Sequence, residues 1–225
     1  MKPTETLARE RTSDGGELVL SRHDGAYTLS IDGLELMTSR VHGSEETLAR
    51  RACEAIAERK TPRVLIGGLG FGYTLRAALD HLPKGAAVVV CEVFASLLDW
   101  NRGLLADLAG RPLQDRRVTA VRADVQSLLD GCERFDAILL DVDNGPEAFT
   151  LRSNGGLYTA EGLARLWRSL TKDGVLAVWS AAPSPEFERR LRKAGFEART
   201  ERVSAFGHGK RRHALFLARR RGRPG

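Results

Sequence analysis

Four short apolar runs in this 225-residue chain end in groups suited to holding one ligand. In "VLIGGLGFGYT" the first run opens into Gly67, Gly68, Gly70 and Gly72, where missing side chains let a backbone approach a ligand closely. The same glycines fit a plain tight turn, and their spacing also resembles a dinucleotide fingerprint. "VVVCE" ends in Glu92, 24 positions after Gly68, where a carboxylate can accept both hydroxyls of a ribose. "VRADV" carries Asp124, an acceptor for an adenine amino group and equally a cap for the segment after it. "AILLDVDNGPEAF" runs from four apolar residues into Asp141, Asp143 and Asn144 before breaking at Gly145 and Pro146. In an open α/β sheet the carboxyl ends of the strands line the ligand crevice, which puts Gly72, Glu92, Asp124 and Asp141 on one edge.

The elements that must position these groups follow from periodicity. The runs "RVLIGG", "AAVVVCE", "RRVTAVRAD", "FDAILLD" and "GVLAVWS" read as buried strands. They alternate with amphipathic segments at Leu75–Leu82, Leu97–Leu108 and Leu163–Leu170, the pattern of a parallel sheet covered on both faces. A helix opens at Ser44 as N-cap, with Glu45 and Glu46 in its first turn. Ser184 and Pro185 start the last helix and Gly195 stops it, and "FEARTERVSAF" and "RRHALFLARR" follow as a hairpin around Gly207-His208-Gly209. Upstream, "GELVLSRHDGAYTLSIDGLELM" alternates around two Asp-Gly turns and reads as a small antiparallel meander. The division is thus 1–43 as a small β domain, 44–218 as a Rossmann-like catalytic domain and 219–225 as a basic tail. A parallel sheet closed by an antiparallel C-terminal hairpin is the arrangement of the S-adenosylmethionine-dependent transferases, and it disfavours an NAD enzyme.

Bulk properties narrow the class. Hydrophobic residues at 42% supply a core, and neither an apolar leader nor a membrane-length run is present in the sequence, so the expected location is cytoplasmic. Cys53, Cys91 and Cys132 are odd in number and lack metal-ligand spacing, so no metal is expected. The net charge of +6 is concentrated in "GKRRHALFLARRRGRPG", which is a solvated strand end and tail or, less favoured, a nucleic-acid contact.

On "IDGLELM", the glycine loop, Glu92, Ala123-Asp124, the "D…GP" of Asp141, Gly145 and Pro146, and Leu157-Tyr158, the chain resembles the spermidine synthase-like polyamine aminopropyltransferases. These are a branch of the class I methyltransferase fold, and the resemblance runs over nearly the whole chain. It implies a small N-terminal β domain, a larger domain that binds decarboxylated S-adenosylmethionine through Gly68, Gly70, Gly72, Glu92 and Asp124, and a homodimer. It also implies that Asp141 helps take a proton from the attacking amine. Three places depart from the family pattern. Phe71 stands where the family has a loop aspartate that holds the cosubstrate's ammonium. "VHGSEET" replaces a tyrosine-histidine-glutamate cluster, and "DVDNGP" matches the family's second acid only loosely at Asp143 or Asn144.

The expected activity is therefore transfer of an aminopropyl or methyl group to a small-molecule amine. The cosubstrate is S-adenosylmethionine or its decarboxylated form. Asp141 and Asp143 are the catalytic candidates and Asn144 and Tyr158 the substrate contacts, with Tyr73, Tyr158 and Trp179 as pocket walls. Two alternatives stay open: an RNA- or DNA-directed methyltransferase using the basic C-terminus, and a non-catalytic nucleoside-binding family member.

Overall fold

A computed structural model of the chain describes residues 3–12, 15–129, 131, 133–142, 145–146 and 152–221. Four antiparallel strands come first, in the order β1 (Glu5–Arg11), β2 (Glu17–His23), β3 (Ala26–Ile31) and β4 (Leu34–Thr38). The turns at Asp24-Gly25 and Asp32-Gly33 place both residues at positive φ, as a two-residue hairpin requires. Strand β1 was not legible in the sequence. Its "ETLARER" is an exposed edge without an alternating apolar face, and Arg9–Glu17 and Arg22–Glu5 pairs tie it to β2.

The larger sheet has seven strands, ordered β10-β11-β9-β8-β5-β6-β7. Strands β5 (Arg63–Gly67), β6 (Ala87–Glu92), β7 (Val118–Arg122), β8 (Phe135–Leu140) and β9 (Leu170–Ser180) run parallel. The hairpin of β10 (Phe196–Ser204) and β11 (Arg212–Arg220) adds to β9 antiparallel. From β5 the chain moves outward to β6 and β7, then returns to β8 on the other side. The switch point between β5 and β8 is where an open α/β sheet forms its crevice.

Alternation along the strands divides the core. Val64, Ile66, Ala137 and Leu139 face α1 (Gly43–Glu54) and α2 (Tyr73–His81), packing on Leu48, Ala52, Leu75 and Leu79. Leu65, Ile138 and Leu140 face the other way, toward α4 (Val125–Leu129), α5 (Ala160–Ser169) and α6 (Pro185–Lys193), among Leu163, Leu166, Phe187 and Leu191. A third cluster seats the small sheet on the large one: Leu18, Leu20 and Leu29 meet Phe71, Leu97 and Leu105.

Several expectations are corrected. Ser44 does not cap α1; the cap position is His42, without a side-chain cap bond, and Ser44 lies fully buried inside the first turn. Helix α3 (Ala95–Arg102) ends early, and the continuation to Leu108 is a series of turns that leaves Leu104 exposed, because Gly103 leaves helical geometry. Strand β9 begins at Leu170, where a helix end was expected. Strand β11 runs through Arg220, past the expected start of a tail at 219. The Arg220 guanidinium lies 3.9 Å over the Trp167 ring and donates to the Leu170 carbonyl, while Arg221 pairs with Glu197 at 2.6 Å. Ser184 does cap α6, accepting from Phe187 N at 3.1 Å. No helix among the described residues is long and apolar enough to cross a membrane.

Candidate active site

A crevice opens at the carboxyl ends of β5, β6, β7 and β8. Its floor is Gly68, Gly70, Cys91, Glu92, Asp124 and Asp141. Leu29, Ile31, Leu36 and Met37 of the small sheet form a roof, and Glu45 of α1 and Trp179 of β9 close one end. The small sheet thus supplies an apolar wall over an acidic floor.

Gly68 is where the loop meets β8. Its φ is +87°, and a Cβ there would lie 2.2 Å from the carbonyl oxygen of Asp141. Only a glycine allows that approach. Next to it, Glu92 accepts from Leu69 N and Phe94 N, both at 3.0 Å, so the carboxylate fixes the glycine loop from below. Burial raises its pKa, opposed by those two backbone donors. Asp124 acts as the cap, accepting from Gln126 N at 2.9 Å at the start of α4, and stands on the crevice edge.

Asp141 ends β8 with its backbone N–H donating to Gly67 O at 2.9 Å. Its carboxylate accepts from the Thr74 hydroxyl at 2.6 Å. Burial raises its pKa to about 6, partly offset by that hydroxyl. Glu45 is pushed further, to about 8, first by burial and then by the charge of Asp141. Two carboxylates at one closed end resist double ionisation until a cation arrives.

In the sequence Glu45 reads only as a first-turn acid complementing the helix dipole. The faint signal in the sequence was the pair Glu45-Glu46, of which α1 exposes Glu46 and turns Glu45 inward. A pH dependence of stability follows. Each raised carboxyl contributes most below its unfolded value, and that contribution is lost as pH rises through the folded value. For Glu45 the window runs from 4.5 to about 8. Glu45→Gln is expected to leave stability unchanged at acid pH and to raise it by about 1–3 kcal/mol at alkaline pH. Denaturant melts of both proteins at the two extremes measure it, and an equal gain at both would contradict the assignment.

Other candidates lie elsewhere. Gly72 occupies the cap position of α2 and faces Asn101 and Pro112, away from the crevice, because the helix start needs a left-handed residue there. Tyr158 is 2% exposed, with its ring edge-on to Phe187 at 5.5 Å in the core behind β8, so it does not wall the crevice. Tyr73 stacks on His42 at 4.1 Å and donates to Ser39 O; of the three aromatics only Trp179 lines the crevice. Phe71 is 3% exposed and packs against the small sheet. Asp143, Asn144 and Cys132 lie outside the described residues. Gly145 and Pro146 are buried, with Gly145 against Ser180 at the end of β9.

The architecture matches solved structures. A spermidine synthase in complex with the transition-state analogue AdoDATO superposes with a TM-score of 0.75 at 20% identity, covering 96% of this chain and 72% of its own. The chain has the spermidine synthase fold. The spermidine synthase of Thermotoga maritima gives 0.76 at 20% identity, covering 96% and 73%. A probable spermidine synthase from Corynebacterium glutamicum gives 0.64 at 15%, covering 98% and 81%. No protein-family model matches the chain. No curated protein matches it either. Within the spermidine synthase fold, the crevice described above is the one at the switch point of the sheet, roofed by the N-terminal strands.

Proposed function

We propose that the chain is an aminopropyltransferase-like enzyme that moves a group from a decarboxylated S-adenosylmethionine-type sulfonium to a small amine. The carrying observation is the crevice itself, where Glu45, Glu92, Asp124 and Asp141 converge. No Lys, Arg or His stands among its described lining residues. Such a site favours a ligand with a nucleoside at one end and positive charge at the other. Likeness in fold to a spermidine synthase solved with AdoDATO supports the same reading.

The residues fit such a cosubstrate. Gly68 presents backbone, Glu92 keeps acceptor capacity for ribose hydroxyls, and Asp124 stands where it can accept from a base amino group. When bound, the sulfonium supplies an electrophilic carbon. The protein's work is then to place the amine in line and to remove its proton. Asp141, with its pKa raised to about 6, is poised as the acceptor. Thr74 fixes one carboxylate oxygen and leaves the other for the amine. Trp179 gives the amine's alkyl chain a flat wall.

Methyl transfer from intact S-adenosylmethionine is the second reading. The burial of Phe71 favours it, since the loop offers no carboxylate at that position. Incubation of the purified protein with each cosubstrate and a panel of amines separates the two. Methylthioadenosine reports aminopropyl transfer and S-adenosylhomocysteine reports methyl transfer. If neither product forms, the proposal is overturned. Glu92→Gln is expected to weaken cosubstrate binding by about 10–100-fold, since a bond to a charged acceptor is worth about 1.5–3 kcal/mol. Calorimetry measures it, and unchanged affinity would remove Glu92 from the site.

A further inference from the structure

Behind the acidic end of the crevice lies a buried cluster that the transfer chemistry leaves unused. Ser44 is 0% exposed and His213 of β11 is 6% exposed. The Ser44 Oγ is 2.7 Å from a Glu45 carboxylate oxygen, 2.9 Å from His213 Nδ1, and accepts from Trp179 Nε1 at 2.9 Å. Trp179 and His213 meet edge to face at 4.7 Å. Two residues 169 apart in sequence are joined here because the turn of the β10–β11 hairpin passes over the start of α1. Gly43 makes room for it: a Cβ there would lie 2.0 Å from Gly207 N.

A hydroxyl has one proton to donate and two lone pairs. With one lone pair taken by Trp179, Ser44 can donate to Glu45 and accept from His213, or donate to His213 and accept from Glu45. Both arrangements keep three hydrogen bonds, and they differ only in where the protons sit. We infer that Ser44 is a proton relay joining Glu45 in the crevice to His213, so that ionisation of Glu45 by an incoming cation is answered at the imidazole. The atoms balance. The Glu45 O–H bond breaks and its proton goes to Ser44 Oγ, while the Ser44 O–H bond breaks and its proton goes to His213 Nδ1. A carboxylate, an unchanged serine and an imidazolium remain.

The neighbours are compatible with that direction of flow. Glu45 is faced by Asp141 from β8, by Tyr73 from α2 and by Glu46 on its own helix. Burial first, then the charges of Asp141 and Glu46, hold a proton on it until a cation enters, while the Tyr73 phenol, itself pushed up to about 12, stays neutral. His213 is faced by Arg211, and burial followed by that charge lowers its pKa, so the imidazole is a transient holder. The inference rests on the transferase reading only for the identity of the cation.

The test is ring-nitrogen NMR of histidine-labelled protein without ligand, across the titration of Glu45 near pH 8. In the wild type His213 Nδ1 is expected to pass from acceptor to donor as Glu45 ionises. In Glu45→Gln that transition is expected to vanish, as it is in Ser44→Ala once melting shows the variant folded. An identical His213 titration in wild type and Glu45→Gln would overturn the relay. Turnover is then measured separately. If no amine supports product formation, the transferase reading fails while the NMR transition still decides the relay. If the enzyme turns over, Ser44→Ala is expected to displace one limb of the kcat–pH profile, and an unmoved profile would count against the relay in catalysis.

Discussion

Asp141→Asn is expected to cut turnover by about 10²–10⁴-fold, the usual contribution of a positioned proton acceptor. The amide keeps the shape of the carboxylate and still accepts from Thr74, so geometry survives and proton affinity does not. Stability should hold or rise near neutral pH. The wild-type carboxyl has a folded pKa of about 6, and ionising it in its buried site costs stability as pH rises through that value. Steady-state rates with the productive cosubstrate, paired with a thermal melt, give both readouts. Wild-type turnover in a folded variant would remove Asp141 as the proton acceptor and revive a nucleoside-binding module without catalysis. A fall in rate accompanied by a large fall in melting temperature would instead indicate a structural role.

Gly68→Ala is expected to be the most destabilising single methyl addition in the loop. The new carbon meets the Asp141 carbonyl at 2.2 Å, and backbone on both sides leaves little room for relief. Overpacking and left-handed strain together cost about 3 kcal/mol or more. For a chain of this size that lowers the melting temperature by roughly 6–12 °C. Gly33→Ala is the control, because Gly33 has a similar φ of +79° but nothing within 4 Å of a built Cβ. It should lose about 1 kcal/mol, from strain alone. Equal losses in the two variants would show that close approach between the loop and β8 is not what demands glycine at Gly68. Any Gly68→Ala protein that does fold should also bind cosubstrate poorly, since the displaced loop carries the Leu69 N–H that Glu92 anchors.

Much of this site was legible in the residues. Four of the acids and glycines placed at the crevice, Gly68, Gly70, Glu92 and Asp141, stand at the ends of apolar runs, and such runs become parallel strands because both faces are covered. Once the strands are parallel, their carboxyl ends share an edge, so local pattern is enough to gather groups more than 70 positions apart. Asp124 was equally readable as crevice residue and cap, and it is both. The same logic misled at Tyr158, where chain proximity to β8 suggested the crevice but the ring turned into the core against Phe187. It failed at β1 and at the end of α3 because exposed, charged edges and turns carry little periodic signal.

What the sequence determined by itself was the architecture and the edge that bears the crevice, because strand and helix periods report burial locally and burial dictates the sheet. What only the tertiary structure decided was the company each group keeps. Glu45 meets Asp141 because α1 packs over the ends of β8 and β9, and no spacing in the chain encodes that meeting. Phe71 went to the seam with Leu18 and Leu29 because the small sheet needs an apolar anchor there. Ser44 meets His213 because a hairpin turn crosses a glycine at the start of α1. Hydrophobic burial is non-directional: it determines which residues are inside, while the packing of one element on another determines which of them touch.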